Sequence, residues 1–279
     1  MNLAIIGCGY AGNALASYWQ QNLDQRITVT TTREERLSEI KDIAAQAVVM
    51  TGNDAEAMRS IVDNHDTIIV SVAPISNRQV EAEVYAETYI PTANNLVASL
   101  SVSLQAKHVI YLSSCSVYGN QKGDWVDENT PVSPTDKHGE VMVQAEDILL
   151  QANQKNINIC ILRLGGIYGP EREMAKRIGR ISGKTLPGTG ENFINWIHLD
   201  DVVSAVDFVR QKQCQGIYNL VDDMKLSLRE LCDLVCTHHD LPKVDWDASQ
   251  PDLRDNNVRV KNDKIKAVGY KLIHSELLI

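Results

Sequence analysis

Short apolar runs alternate with helix-length segments along most of the chain. The runs are Leu3–Ile6, Ile27–Thr31, Ala47–Met50, Thr67–Val72, His108–Leu112 and Asn158–Leu162. Each is rich in Val, Ile or Thr and is bounded by polar residues or glycine, as strands are. None shows clean polar alternation, which predicts strands covered on both faces. Segments such as Asn13–Gln21 supply the intervening helices. Strands alternating with helices imply right-handed crossovers, hence an α/β, doubly wound parallel sheet of the Rossmann type.

Beyond about Gly165 the pattern changes. Glycine and proline cluster at Gly165-Gly166, Gly169-Pro170, Gly183 and Pro187-Gly188-Thr189-Gly190, which are loop signals between short elements. A helix is expected after Asp200-Asp201, because two carboxylates favour a helix N-terminus. Ile217–Val221 reads as another strand. Ser227 and Glu230 form a capping-box pair for a helix running to about Thr237. The expected organisation is a larger domain over 1–165 and a smaller lobe over 166–279, some of whose segments return to the sheet.

Composition narrows the function classes. Hydrophobic content of 44% and charged content of 23% are those of a soluble globular protein. A net charge of −9 provides no basic excess to displace counterions, which argues against a nucleic-acid partner. No apolar run approaches the roughly 20 residues of a membrane span. The N-terminus runs into a strand with no basic region before it, so it does not read as a signal peptide. The six cysteines are scattered, as expected of reduced thiols in a cytoplasmic protein. Cys232, Cys236, His238 and His239 are the one group suggestive of a metal, but Leu228, Leu231, Cys232, Val235 and Cys236 follow a helical apolar stripe. Core packing is the reading, and no metal is expected.

Gly7-Cys8-Gly9-Tyr10-Ala11-Gly12 is a G-x-G-x-x-G turn between a strand and a helix. Gly7 permits the tight turn, Gly9 the approach of a pyrophosphate, and Gly12 close helix–strand packing. Tyr10 and Ala11 lie within the turn, and the N-terminus of the helix that follows, Asn13–Gln21, would face the anion with free N–H groups. The 1–165 segment is therefore a candidate dinucleotide-binding domain. NAD sites place Asp or Glu at the end of the second strand, about 20 residues on. Here stand Thr30-Thr31-Thr32-Arg33. Arg33 suits a 2′-phosphate, with Thr31 and Thr32 assisting, so NADP is favoured and NAD is the alternative. Arg33 also has a plainer reading, as a solvated residue paired with Glu34 or Glu35. Asn53 after the third strand, and Ala73 and Pro74 after the fourth, fall where adenine and ribose would lie.

Further segments carry a family resemblance. They are Ser113-Ser114-Cys115-Ser116-Val117-Tyr118-Gly119, Leu162-Arg163-Leu164-Gly165-Gly166-Ile167-Tyr168-Gly169-Pro170, and Trp196-Ile197-His198-Leu199-Asp200-Asp201-Val202. Arg259-Val260-Lys261-Asn262 and Gly269-Tyr270 follow near the end. Together with the glycine turn, and in this order, they resemble the extended short-chain dehydrogenase/reductases. That family includes NAD-dependent epimerases, dehydratases and reductases, many acting on nucleotide sugars. Two departures resemble its atypical subgroup. The glycine turn has a different spacing, and the family's Tyr-x-x-x-Lys pair falls on His138 and Met142.

The resemblance implies that Ser113 lies near the cofactor and that Ser114 orients the substrate oxygen. It brings Tyr118 and Tyr168 near the cofactor and puts Asn195 and His198 on the substrate side. A phenol of pKa about 10 needs a neighbouring cation to act at neutral pH. A free histidine, with a pKa near 6.5, does not. Joint loss of Tyr and Lys is therefore coherent if His138 is the new acid/base, and equally coherent if catalysis was abandoned. Tyr118 is a reserve proton donor. Two functions stay open: an NAD(P)-dependent oxidoreductase or epimerase/dehydratase acting on a polar metabolite such as a nucleotide sugar, and an inactive NADP-binding sensor or scaffold. The resemblance also implies a homodimer through long helices near Gln79–Ser103 and Asp136–Asn153.

Overall fold

The structure is a computed structural model that describes the chain except residues 24, 75–80, 153–156 and 253–254. Its main sheet has seven strands: β1 (Asn2–Ile6), β2 (Arg26–Thr31), β3 (Gln46–Val49), β4 (Thr67–Val70), β5 (His108–Ser114), β7 (Asn158–Leu164) and β11 (Gly216–Leu220). Their order is β11-β7-β5-β4-β1-β2-β3. The chain walks outward from β1 to β3, returns to β4 on the other side of β1, and then walks outward again. With right-handed crossovers, that reversal puts the helices of the two halves on opposite faces. It also leaves a crevice at the carboxyl ends of β1 and β4, where open α/β sheets take their ligands. β1 and β4 are buried nearly throughout, which explains the absence of polar alternation.

The helices are α1 (Tyr10–Asn22), α2 (Leu37–Ile40), α3 (Ala55–Asn64), α4 (Ala82–Leu100), α5 (Lys137–Leu150), α6 (Met174–Gly179), α7 (Leu199–Lys212), α8 (Leu228–His238) and α9 (Asp263–Ala267). The helix expected over 79–103 is α4; residues 79 and 80 of that expectation lie outside the described residues, as does Asn153 at the end of the one matching α5. Ser227 and Glu230 make the full capping box at α8. Asp200 and Asp201 occupy the first turn of α7.

The chain forms two compact units that interleave in sequence. One comprises Met1–Ser113, Glu140–Leu162 and Val203–Ile217; the other Ser114–Gly139, Arg163–Val202 and Tyr218–Ile279. The first centres on β1 and the buried Trp19, whose indole N–H donates to Asp207 Oδ1 at 2.8 Å. The second contains three short parallel pairs: β8 (Gly166–Tyr168) with β10 (Trp196–His198), β9 (Thr185–Pro187) with β12 (Asp245–Asp247), and β6 (Trp125–Val126) with β13 (Arg259–Val260). Its core packs Leu231, Cys232, Val235 and Cys236 of α8 against Tyr168, Ile178 and Trp196. Burial pushes the Cys232 thiol up to about 12, away from the thiolate a metal needs. His238 and His239 are exposed. The stripe is core.

Candidate functional site

Gly7 has φ +95°, a conformation a side chain resists, and a Cβ there would lie 2.7 Å from the Ser71 carbonyl oxygen. Its N–H donates to Thr30 Oγ1 at 3.0 Å, and the Cys8 N–H donates to the Thr30 carbonyl at 2.8 Å. These bonds fix the turn at the carboxyl end of β1. A Cβ on Gly12 would lie 2.3 Å from the Gly7 carbonyl oxygen, so the helix passes close over the turn. Gly9 is exposed, caps α1 without a side-chain bond, and among the described residues has nothing within 4 Å of its Cβ position. Tyr10 is half-buried and Ala11 buried in the first turn of α1, which contains no acidic residue. The open space at Gly9 and the uncapped N-terminus suit an anionic group.

At the end of β2, Thr31 is buried while Thr32 and Arg33 are exposed. Thr31 Oγ1 accepts from the Arg33 N–H at 3.3 Å. Arg33 lies 3.8 Å from Glu35 Oε1, with its side chain 45% exposed, so that pairing is weak and leaves the guanidinium displaceable. Arg36 was not anticipated. Its guanidinium donates to the Cys8 carbonyl within the glycine turn and reaches Glu39 at 3.3 Å. Its only sequence signal is a second arginine three positions after Arg33. Asn53 is exposed ahead of the Asp54 cap of α3. Ala73 is exposed and Pro74 half-buried beyond β4. A separate cleft runs along α3, from Asp54 to His65, and is also lined by Asn2, Arg26 and Thr28.

Ser113 ends buried, its hydroxyl donating to the buried Glu146 at 2.5 Å. Ser114 is half-buried, and its Oγ accepts from the Ser116 N–H at 3.1 Å, which leaves its own hydrogen for a further acceptor. Tyr118 is fully buried. Its hydroxyl donates to Asn219 Oδ1 at 2.8 Å and accepts from Arg163 Nη1 at 3.0 Å. Burial pushes the phenol up to about 12, against the opposing pull of Arg163. These bonds make Tyr118 an anchor of the loop and disfavour proton transfer by it.

His138 is half-buried in the first turn of α5, and Met142 is buried with the Tyr111 hydroxyl 3.7 Å from its sulfur. The Gly139 N–H donates to Asp136 Oδ1 at 2.7 Å. A Cβ on Gly139 would lie 2.7 Å from the Pro134 side chain and 3.3 Å from the Ser116 carbonyl oxygen. The glycine thus lets the start of α5, with His138, approach the loop that follows Ser114. Tyr118 and Lys122 also have Tyr-x-x-x-Lys spacing, but not on a helix: Lys122 sits at φ 55° in a turn. No helical face aligns them.

The sequence model of the NAD dependent epimerase/dehydratase family matches residues 4–220. The chain belongs to this family. It is similar to Protein YeeZ of Escherichia coli (strain K12), with 30% identity over 224 residues, 78% of this chain and 76% of that protein. It is similar to the N-acetyl-alpha-D-glucosaminyl-diphospho-ditrans,octacis-undecaprenol 4-epimerase of Escherichia coli O157:H7, with 23% identity over 82% of this chain and 70% of the epimerase. The fold is also that of dTDP-glucose 4,6-dehydratase from Bacillus anthracis str. Ames in complex with NAD. That match has a TM-score of 0.80 and 19% identity, covering 99% of this chain and 92% of the other.

In this member of the family the remaining candidates lie in the second unit. Tyr168 is buried, and its hydroxyl accepts from the Leu278 N–H at 3.2 Å. Asn195 donates to the Val258 carbonyl at 2.9 Å and accepts from the Val260 N–H at 3.0 Å, a backbone stitch. His198 is buried edge-on to Tyr168, with ring centroids 5.1 Å apart. Among the described residues no helix is long and apolar enough to cross a membrane.

Asp222 and Lys225 are a pair that sequence gave no reason to single out. Asp222 is 1% exposed, and among the described residues no side chain hydrogen-bonds its carboxylate. Lys225 Nζ lies 4.0 Å from Oδ1 and donates to the Asp222 carbonyl. Burial pushes the Asp222 carboxyl up to about 7, with Lys225 opposing. The unfolded carboxyl titrates near pH 3.9. Between these values the folded state holds the extra proton, so this group makes stability fall as pH rises from about 4 to 7. We expect Asp222→Asn to flatten that limb and to raise stability at pH 8 by on the order of 2 kcal/mol. Denaturant midpoints from pH 4 to 8 measure it; parallel curves for the two proteins would refute it.

Proposed function

We propose that the protein is an NADP-linked oxidoreductase or epimerase/dehydratase acting on a polar metabolite of the nucleotide-sugar type. The observation that carries the reading is the turn at Gly7–Gly12, with open space at Gly9 and an uncapped helix behind it. The end of β2 supports NADP over NAD, since Thr31, Thr32 and Arg33 replace the usual carboxylate. The substrate class rests on the sugar-nucleotide and sugar-diphosphate substrates named for its relatives. The bound cofactor supplies hydride transfer. Ser114 donates a hydrogen bond to the reacting oxygen, and His138 takes or returns its proton. Ser113, tied to Glu146, holds the end of β5 in place beside Ser114. Tyr168, Asn195 and His198 shape the substrate side through the bonds described above.

Calorimetric titration tests the cofactor. NADP is expected to bind more tightly than NAD. Arg33→Ala is expected to weaken NADP by roughly 10-fold, as loss of a charge-assisted contact does, while leaving NAD unchanged. Equal losses for both cofactors would remove Arg33 from the 2′-phosphate. Incubation of sugar nucleotides with the NADP-loaded enzyme in deuterated water then tests turnover.

One observation favours a second reading, an NADP-binding sensor without turnover. Met142 is buried against Tyr111 and offers no cation where the family resemblance puts the lysine. Cofactor binding without exchange or conversion of any sugar nucleotide would select it. We place the protein in the cytoplasm as a homodimer, with α4 and α5 as the contact helices; light scattering at about twice the 31.0 kDa chain mass is the expected result.

A further inference from the structure

The start of α7 and the C-terminal segment meet within the second unit. Asp201 is fully buried and gathers that segment: it accepts from the Tyr270 hydroxyl at 2.9 Å, the Ile273 N–H at 2.7 Å and the His274 N–H at 3.0 Å. These bonds fix the backbone at His274. They bring its ring to His198, with centroids 4.2 Å apart. His274 Nε2 lies 3.0 Å from Asp200 Oδ2, and His198 Nδ1 lies 3.3 Å from the same oxygen.

The His198 contact is the informative one. The Asp200 backbone N–H also points at His198 Nδ1, at 3.2 Å. An amide donates only to an unprotonated ring nitrogen. Nδ1 is then a lone pair facing a carboxylate oxygen, two acceptors with no proton between them. A cation beside both atoms removes that repulsion. The three donor atoms all lie within 4.8 Å of one another. A tetrahedral ion with bonds of 2.0–2.2 Å sets its ligands roughly 3.3 Å apart. Two of the three separations already match, and rotation of the partly exposed His274 ring closes the third.

We propose that His198, Asp200 and His274 bind a divalent transition-metal ion of the zinc class, which fastens the C-terminal segment to the first turn of α7. Two imidazoles and a carboxylate are a borderline donor set, suited to Zn²⁺ rather than to Ca²⁺ or Mg²⁺. Asp200 is 55% exposed at its side chain, so water completes the coordination. The ion takes Nδ1 from the Asp200 amide, whose contact is at the long limit of hydrogen bonding. Sequence concealed the set, because its two histidines are 76 positions apart (198 to 274). Binding of the ion is read without cofactor or substrate, although His198 also borders the proposed substrate side.

The test is calorimetric titration of the chelator-stripped, full-length protein with Zn²⁺, alongside melting curves with and without the ion. One ion per chain and a higher melting temperature with Zn²⁺ are expected. His274→Ala and Asp200→Asn should each weaken binding at least about 10-fold, since even outer-shell changes at metal sites cost that much. Their metal-free melting curves should stay near the parent's, because both side chains are at least partly exposed. His238→Ala with His239→Ala, on the exposed pair at the end of α8, should leave binding unchanged. Absence of saturable binding overturns the proposal and leaves a hydrogen-bonded His–Asp–His group. Binding that survives His274→Ala, or that is lost with His238 and His239, overturns it by putting the ion elsewhere.

Discussion

Gly7→Ala is expected to destabilise the protein by about 3 kcal/mol or more, whereas Gly9→Ala should fold normally and lose nucleotide affinity by at least about 10-fold. The contrast follows from what each new methyl meets. At Gly7 it enters a backbone at φ +95° and lies within 3 Å of Ser71 and Val72 main-chain atoms, which belong to the segment following β4. Main chain inside a parallel sheet cannot move aside without breaking its ladder; here the Ser71 N–H is bonded to the Ile6 carbonyl at 2.8 Å. Strain and overpacking therefore add. At Gly9 the methyl meets no atom of the described residues within 4 Å, so the fold tolerates it. It fills the space in which a pyrophosphate approaches the helix N-terminus. Thermal melts of the two variants, followed by titration with NADP and NAD, separate the effects. A Gly9→Ala protein that binds both nucleotides like the parent would move the cofactor away from this turn.

Local features were legible in the sequence; long-range bonds were not. β1, β2, β4 and β7 stand out as β-branched runs because both their faces are covered. The glycine turn is visible because its special conformation restricts residue type. Ser227 and Glu230 could be paired because a capping box is a contact over three residues. Tyr118, Arg163 and Asn219 form one network, yet neither arginine nor asparagine marks its partner in the sequence. Arg36 reaches back 28 positions to Cys8. Asp222 reads as an ordinary loop carboxylate until its burial is known. The short strands β8, β9 and β10 have three residues each, too few for a periodic signal. The same limit applies to the interleaved units, whose boundaries fall inside α5 and α7, where no local composition shift announces them.

His138→Ala is expected to lower kcat by about 10²–10⁴ with little change in KM, the scale of a lost general acid/base. The argument begins with the glycine beside it. Gly139 lets the first turn of α5 come close to the Ser116 carbonyl, and a Cβ there would touch Pro134 at 2.7 Å. The Asp136 cap then fixes that turn through the Gly139 N–H. His138 is held next to the loop whose Ser114 retains a hydrogen to donate. Tyr118, the other proton donor in that loop, is held by Asn219 and Arg163 and pushed up to about 12 by burial. A histidine acid/base does not use the lysine that tunes a phenol, so a buried methionine at 142 is compatible with it. Cofactor affinity of His138→Ala should stay at the parent's value. Loss of affinity together with kcat would mean a structural role at the start of α5. Unchanged kcat with a turned-over sugar nucleotide would take His138 out of the mechanism.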